Sequence, residues 1–384
     1  MSAPIYLDYN AGAPARPEVV RAMAEVLAEG GNPSSTHAGG RRSRARVEAA
    51  RRSVARSIGA DPAGLVFTSG GTEANALALT GVGRSRLLVS AVEHASVRDV
   101  ARLESAPAEI VPVDGDGVVD LAALARMLDA DARPALVSLM LANNETGIIQ
   151  PVAAAAGIAH AHGALIHCDA AQGLGRVSVS LSTLSVDFLT ISAHKSGGPA
   201  GIGALALADA AFPLAPMLLG GAQEGRRRAG TENLSGIVGF GVAAELAGSE
   251  LERGDTIWEM ERLRDRLEAL ALARVPGAAV IGREVRRLPN TTCLALPGVP
   301  SGTQVMALDL AGVMVGAGAA CSSGRMAEST VLAAMGLAPK VAGSAIRVSL
   351  GRDSDEVGIA RFVEAWAELA GRKGFELRLA AAAA

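Results

Sequence analysis

Val186-Asp187-Phe188-Leu189-Thr190-Ile191-Ser192-Ala193-His194-Lys195-Ser196-Gly197-Gly198 decides how this chain is read. An apolar, β-branched run with the composition of a buried strand ends in two small residues, a His-Lys pair and a glycine turn. Such an arrangement delivers one amine to the mouth of a sheet. The chain has only three lysines, Lys195, Lys340 and Lys373, although arginine is plentiful. A surface cation could as well be arginine here. A Schiff base could not, because guanidinium stays protonated while a lysine amine can be tuned and can react with carbonyls.

Outward from this stretch, short apolar runs alternate with amphipathic ones from about residue 60, the rhythm of a mostly parallel sheet covered by helices. Strands are predicted at 65–68, 86–90, 109–113, 135–141, 164–168, 187–191 and 202–206, with helices between them such as 72–79 and 151–160. After about residue 236 the texture changes. One long helical stretch, 237–272, is followed by strands near 279–281 and 290–295, a helix near 303–311, a strand at 345–350 and a helix at 355–370. The expected fold class is α/β, with a large domain around a mostly parallel sheet and a smaller α+β domain packed on it.

The 384 residues carry 36 Lys+Arg against 39 Asp+Glu, a net charge of −3, so no electrostatic footprint for nucleic acid or anionic membrane is visible. The N-terminus lacks a basic region followed by an apolar run, and no uninterrupted apolar stretch is expected to span a bilayer. Cys168, Cys293 and Cys321 form neither a disulfide framework nor a zinc pattern, and a reducing cytoplasm is the expected compartment.

Several other stretches could carry chemistry. Phe67-Thr68-Ser69-Gly70-Gly71-Thr72-Glu73 reads as strand, glycine turn and helix start: an anion cradle with the Thr72 hydroxyl, or an ordinary capped turn. Asp169, at the end of the strand through Cys168, could hold a ring nitrogen protonated or could cap a helix. Asn143-Asn144-Glu145-Thr146-Gly147 ends another strand at the same edge. His94 could stack on a flat cofactor or move protons; a hydrogen-bonded histidine at a helix start is the simpler reading. Arg347 alternates with apolar residues, either as a solvated strand charge or as a fork for a substrate carboxylate. The loop 220–231 could contact phosphate or simply be solvated. His160 and His162, with His167, might suggest a metal, but the i, i+2 spacing of the first two on a helix points them apart, so no metal site is expected. Cys321, in Gly316-Ala317-Gly318-Ala319-Ala320-Cys321-Ser322-Ser323-Gly324, has no bulky neighbour in sequence, unlike Cys293, which suits a thiol that reacts as well as it suits tight packing.

Taken in order, these motifs resemble the cysteine desulfurases of the class V aminotransferase family, nearly end to end. The resemblance rests on Tyr6-Leu7-Asp8-Tyr9-Asn10-Ala11, Asn32-Pro33-Ser34-Ser35-Thr36-His37, Thr68-Ser69-Gly70-Gly71-Thr72-Glu73, Glu93-His94 and Asn143-Asn144-Glu145-Thr146-Gly147. It continues through Asp169-Ala170-Ala171-Gln172, Ser192-Ala193-His194-Lys195, Arg228-Ala229-Gly230-Thr231, Ala320-Cys321-Ser322-Ser323 and Ile346-Arg347-Val348-Ser349. It implies the pyridoxal-phosphate fold type I, with a large cofactor-binding domain over 14–255 and a small domain made of 1–13 and 256–384. It also implies pyridoxal 5'-phosphate bound covalently by Lys195, with Asp169 on the ring nitrogen and His94 stacked on the ring. Gln172 and Asn144 would lie at the ring oxygen or the substrate. Gly71, Thr72, Ser192 and His194 would hold the phosphate, with Thr231 reaching in from the second subunit of a homodimer. Arg347 would clamp the carboxylate of L-cysteine, Cys321 would accept its sulfur as a persulfide while L-alanine leaves, and His94 would serve as the base for the thiol. The loop Cys321–Ser329 resembles that of the group serving iron–sulfur assembly and nitrogen fixation, so an iron–sulfur scaffold or similar sulfur-acceptor protein is the expected partner.

Overall fold

Seven strands form the central sheet: β1 Leu65–Thr68, β2 Arg86–Ser90, β3 Glu109–Val111, β4 Ala135–Ser138, β5 Leu165–Asp169, β6 Phe188–Ser192 and β7 Gly203–Leu207. They belong to a computed structural model that describes residues 4–102, 108–318, 321–322, 325–326 and 328–378, with 321, 322, 325 and 326 described by their backbone alone. The spatial order is β1-β7-β6-β5-β4-β2-β3. Only β7 runs against its neighbours; the other pairings are parallel. These strands are short apolar runs because both faces are covered. In β1, Leu65 and Phe67 join one hydrophobic cluster while Val66 joins another across the sheet.

Helices α1 Pro17–Glu29, α2 Ala38–Ser57, α3 Gly71–Gly81, α4 Ala95–Ala101, α5 Leu121–Asp129 and α6 Val152–Ala161 precede or connect the strands. The long helix expected over 237–272 is two helices, α7 Leu234–Arg253 and α8 Asp255–Arg274. Gly254 separates them at φ +77°, a left-handed conformation that glycine adopts without a Cβ clash. Helix α7 is long and apolar enough to cross a bilayer by length and composition, although Glu245 and Glu250 interrupt its apolar run. Its apolarity serves packing instead. Ile237, Phe240, Ala243, Ala244 and Ala247 are buried, and a Cβ on Gly241 would come within 2.8 Å of Ala50 on α2.

A second sheet, β8 Ala279–Ile281, β9 Thr291–Ala295 and β10 Ala345–Ser349, is antiparallel with β9 central. It packs with α8, α9 Ser301–Leu310 and α10 Glu356–Arg372 around Trp366, Phe362 and Leu267, and Leu7 from the far end of the chain joins that core. A further cluster, with Val92 and Met140 on one side and Cys293 and Ala345 on the other, joins the two bodies. The N-terminal segment crosses between them: Asn10 donates to Thr291 Oγ1 (3.0 Å) and to the Asn144 carbonyl (3.2 Å).

Candidate active site

Because β2, β4, β5 and β6 are parallel, their carboxyl ends share one edge, where open α/β sheets bind ligands. Beyond Ser192, the end of β6, the chain takes a single tight turn, Ala193–Lys195. The N–H groups of Ser196 and Gly198 both donate to the Ala193 carbonyl (3.1 and 3.0 Å), closing it. Gly197 stands at φ +80°, and a Cβ there would meet the Arg16 side chain at 2.8 Å. Lys195 thereby turns its amine into a cavity of about 770 Å³, where the amine has no hydrogen-bond partner among the described residues. Burial lowers its pKa to about 8; Asp169 opposes, while the charges of Arg176 and Arg347 add to the fall.

Asp169 ends β5. Its Oδ1 accepts from the Ala171 N–H (2.9 Å) and its Oδ2 from Asn75 Nδ2 (2.7 Å). Asn75, buried on α3, also donates to Ser96 Oγ (2.9 Å), which bonds His94 Nδ1 (2.8 Å). The Ser96 N–H donates to the same ring nitrogen (3.1 Å). Both of the amide hydrogens of Asn75 are thus spent, and the Ser96 hydroxyl must give its own hydrogen to His94. With Nδ1 accepting, neutral His94 carries its proton on Nε2. Burial lowers the His94 pKa, so the neutral ring prevails. His94 therefore both caps α4 and turns an N–H donor, not a lone pair, to the cavity.

The candidate anion cradle lies at the start of α3, whose first-turn N–H groups have no intrahelical acceptors. The Glu73 carboxylate accepts from the Ser69 N–H (2.8 Å) and is paired with Arg228 (2.9 Å), so this arginine of the 220–231 loop braces the turn. Gly71 and Thr72 line the cavity next to Ser192 and His194, and Ser192 Oγ bonds His194 Nδ1 (3.0 Å). On the facing wall, Arg347 is buried, which rules out the solvated-strand reading. Its Nη2 donates to Asp8 Oδ1 (2.7 Å) and its Nη1 to the Asn144 carbonyl (3.0 Å), while Nε, also buried, has no partner among the described residues.

One cavity thus gathers Gly71, Thr72, His94, Asn144, Asp169, Gln172, Ser192, His194, Lys195 and Arg347. Thr231 is exposed and does not line it. The backbone of Cys321–Ser322 pairs with Arg325–Met326, while the Cys321 side chain lies outside the described residues. Gly318 before this hairpin and Glu328 after it both line the cavity.

The class-V aminotransferase model matches residues 5–362. The chain belongs to that family. A cysteine desulfurase from Cereibacter sphaeroides is 44% identical over 371 residues, 94% of either chain. Cysteine desulfurase IscS from Dictyoglomus turgidum is 40% identical over 361 residues, 91% of this chain and 90% of its own. Among solved structures, a NifS-like protein from Rickettsia africae superposes with a TM-score of 0.87 at 33% identity, covering 95% of this chain and 99% of the other.

In this class-V member the sequence reading missed Asn75, Glu93 as a separate group, and Arg176. Glu93 Oε1 accepts from the Met140 N–H (2.7 Å) and Ser90 Oγ (2.8 Å), while Oε2 is buried without a partner among the described residues. Burial raises its pKa to about 8. Asn75 falls one helical turn after Gly71, a spacing that could have flagged it as facing the same cavity. The remaining polar candidates have structural partners. His160 bonds Asp187 (3.0 Å), His162 bonds Asp129 (2.9 Å), and His167 is held between Ser138 and Thr190. Cys168 and Cys293 are buried in strands, and burial drives the Cys293 pKa to about 12.

Proposed function

We propose that this chain is a pyridoxal-phosphate-dependent cysteine desulfurase that converts L-cysteine to L-alanine and carries the released sulfur as a persulfide on Cys321. The observation that carries the reading is a buried lysine amine, without a hydrogen-bond partner among the described residues, sharing one cavity with Asp169 and a helix N-terminus. That donor set fits the cofactor. Lys195 supplies the amine, Asp169 a carboxylate, and the start of α3 with Thr72, Ser192 and His194 an anion cradle. The unpartnered Arg347 Nε marks a position where an anionic group would be welcome. Bound there, pyridoxal phosphate would supply an electron sink for the α-carbon of an amino acid.

The chain's own residues do the rest. Lys195 Nζ, poised near neutral pH, takes the proton from the α-carbon of the substrate. Arg347 orients the substrate carboxylate, itself held in place by Asp8 and the Asn144 carbonyl. His94 covers the cavity as a flat ring and an N–H donor. Cys321 sulfur bonds the substrate sulfur; the electron pair of the broken C–S bond stays with carbon, which takes up a proton on the way to alanine.

The reading extends to a homodimer in the cytoplasm, with Thr231 serving the partner's site, and to a sulfur-acceptor protein such as an iron–sulfur scaffold. Its support is family membership, together with the exposure of Thr231 away from its own chain's cavity. It also includes domains of 14–255 and of 1–13 with 256–384, supported by separate cores, one from Val47 to Ala247 and one joining Leu7 to Leu263–Ala370.

The test is the mass of the Cys321 peptide after the protein meets L-cysteine without reductant. One added sulfur atom there, and none on Cys168 or Cys293, is the expected result, and Cys321→Ser should abolish it while leaving cofactor binding intact. An unmodified Cys321 with cofactor bound would overturn the sulfur-carrier role.

A further inference from the structure

Behind Lys195, on the side away from the large cavity, sits a buried cation to which neither the motifs nor the mechanism gives a role. Arg176 is only 5% exposed. Its Nη2 donates to the carbonyls of Tyr9 (3.0 Å) and Lys195 (3.2 Å), and its Nη1 to the Gln172 carbonyl (3.4 Å) and side-chain Oε1. Among the described residues no carboxylate lies within ion-pair distance of it. A fully desolvated guanidinium balanced by amide oxygens alone is expensive, and a neutral side chain could staple a turn at lower cost. Burial pushes its pKa down to about 9, so it is still charged at neutral pH.

Three of the segments that build the active site meet at this one side chain. Lys195 carries the amine, and Gln172 lines the large cavity. Tyr9 lies between Asp8, which holds Arg347, and Asn10, which accepts from Gln172 Nε2 (3.1 Å). Arg176 and Lys195 also share the wall of a small void of about 50 Å³ behind the site.

Resting on the function proposed above, we propose that Arg176 is a positioning residue for Lys195: its guanidinium fork ties the lysine's carbonyl to Tyr9 and Gln172 and so fixes the direction from which the amine enters the cavity. A planar fork reaches these acceptors at once with a single set of torsions; a lysine ammonium on a flexible stem does not. The fixed charge acts in the same sense as burial, favouring the neutral amine. The other charged or titratable groups around Lys195 are Asp169 on β5, His94 at the start of α4 and His194 in its own turn. Arg347, paired with Asp8, faces it from β10. Around the small void stand the Arg16–Glu250 pair and Arg352. Asp169 alone among those acting directly on the amine favours its charged form.

Two substitutions separate geometry from charge. In the full-length protein without added pyridoxal phosphate, acetylation of Lys195 by acetic anhydride is followed across about pH 6 to 11 by the mass of its peptide. The wild-type midpoint is expected near pH 8. Arg176→Met should move it up by about one unit, a roughly tenfold loss of labelling at neutral pH. Arg176→Lys keeps the charge and should leave the midpoint in place. In the holoenzyme, however, it should lower kcat with L-cysteine by about tenfold or more with KM nearly unchanged, because only the aim of the amine is lost. An unmoved midpoint in Arg176→Met, or wild-type kcat in Arg176→Lys, would overturn the proposal. If Arg176→Met does not fold, the Arg176→Lys kinetics decide. If the wild-type protein leaves L-cysteine untouched, the proposed function fails, and the labelling midpoints still decide the role of Arg176.

Discussion

The two sides of Lys195 are built on opposite terms. Behind it, Arg176, Gln172 and the Tyr9 carbonyl are joined in one closed set of hydrogen bonds. In front, buried polar atoms are left over: among the described residues Arg347 Nε, Glu93 Oε2 and Asn75 Oδ1 have no partner, and neither does the lysine amine. Each unsatisfied buried group costs about 1–3 kcal/mol, so a fold does not collect several on one wall without a use for them. The saturated side is the mould that fixes geometry, and the unsaturated side is the face that a ligand completes.

The sharpest way to break this contrast is Lys195→Ala. Turnover should fall by at least about 10³-fold, because the one lysine amine that lines the cavity among the described residues is gone. Without cofactor, thermal stability should be nearly unchanged, since the amine has no hydrogen-bond partner among the described residues; a large drop in melting temperature would show that Lys195 belongs to the scaffold. Next is Arg347→Ala, a residue that stands on both sides of the contrast. KM for L-cysteine should rise on the order of 100-fold from the lost carboxylate fork. Stability should also fall by about 1–3 kcal/mol, because Asp8 keeps a partly buried charge without its partner. Chemical denaturation and steady-state kinetics on the same variant would read both effects.

The smallest effect concerns Glu93→Gln, read as stability against pH. The Glu93 pKa is raised from about 4.5 unfolded to about 8 folded. Between those values the unfolded chain has released a proton that the folded protein still holds, so wild-type stability falls as pH rises through that window. Glutamine does not ionise. The variant should therefore gain on the wild type from about pH 5 to 8, by a few kcal/mol at most, and match it at lower pH. Parallel curves across that window would mean that Glu93 is ionised in the fold and that a cation faces its free oxygen.

Much of the sheet was legible because β1, β2, β6 and β7 are bounded by glycine or polar turns and buried on both faces, which makes them continuous apolar runs. The α7–α8 boundary was less so, since Gly254 within a helix-favouring stretch is tolerated as often as it breaks the helix. His94 and Arg347 each carried two readings. For His94 the helix-start reading holds, and the same ring also lines the cavity. For Arg347 burial excludes the solvated-strand reading. Asn75 and Arg176 left no mark in the sequence strong enough to single them out, because a polar residue in a helix and an arginine after a glycine are ordinary locally.

By itself the sequence determined the alternating α/β rhythm, the family and the ordered set of side chains able to do the chemistry. These follow from local periodicity and from residue types, since only an amine can play the part given to Lys195. The tertiary structure decided which polar groups are satisfied and which are spare. It set the His94 tautomer through Ser96 and Asn75, joined Arg347 to Asp8 across 339 positions, and placed a bare guanidinium behind the lysine. Hydrogen-bond satisfaction and desolvation depend on neighbours brought together from distant parts of the chain, and no local pattern encodes that count.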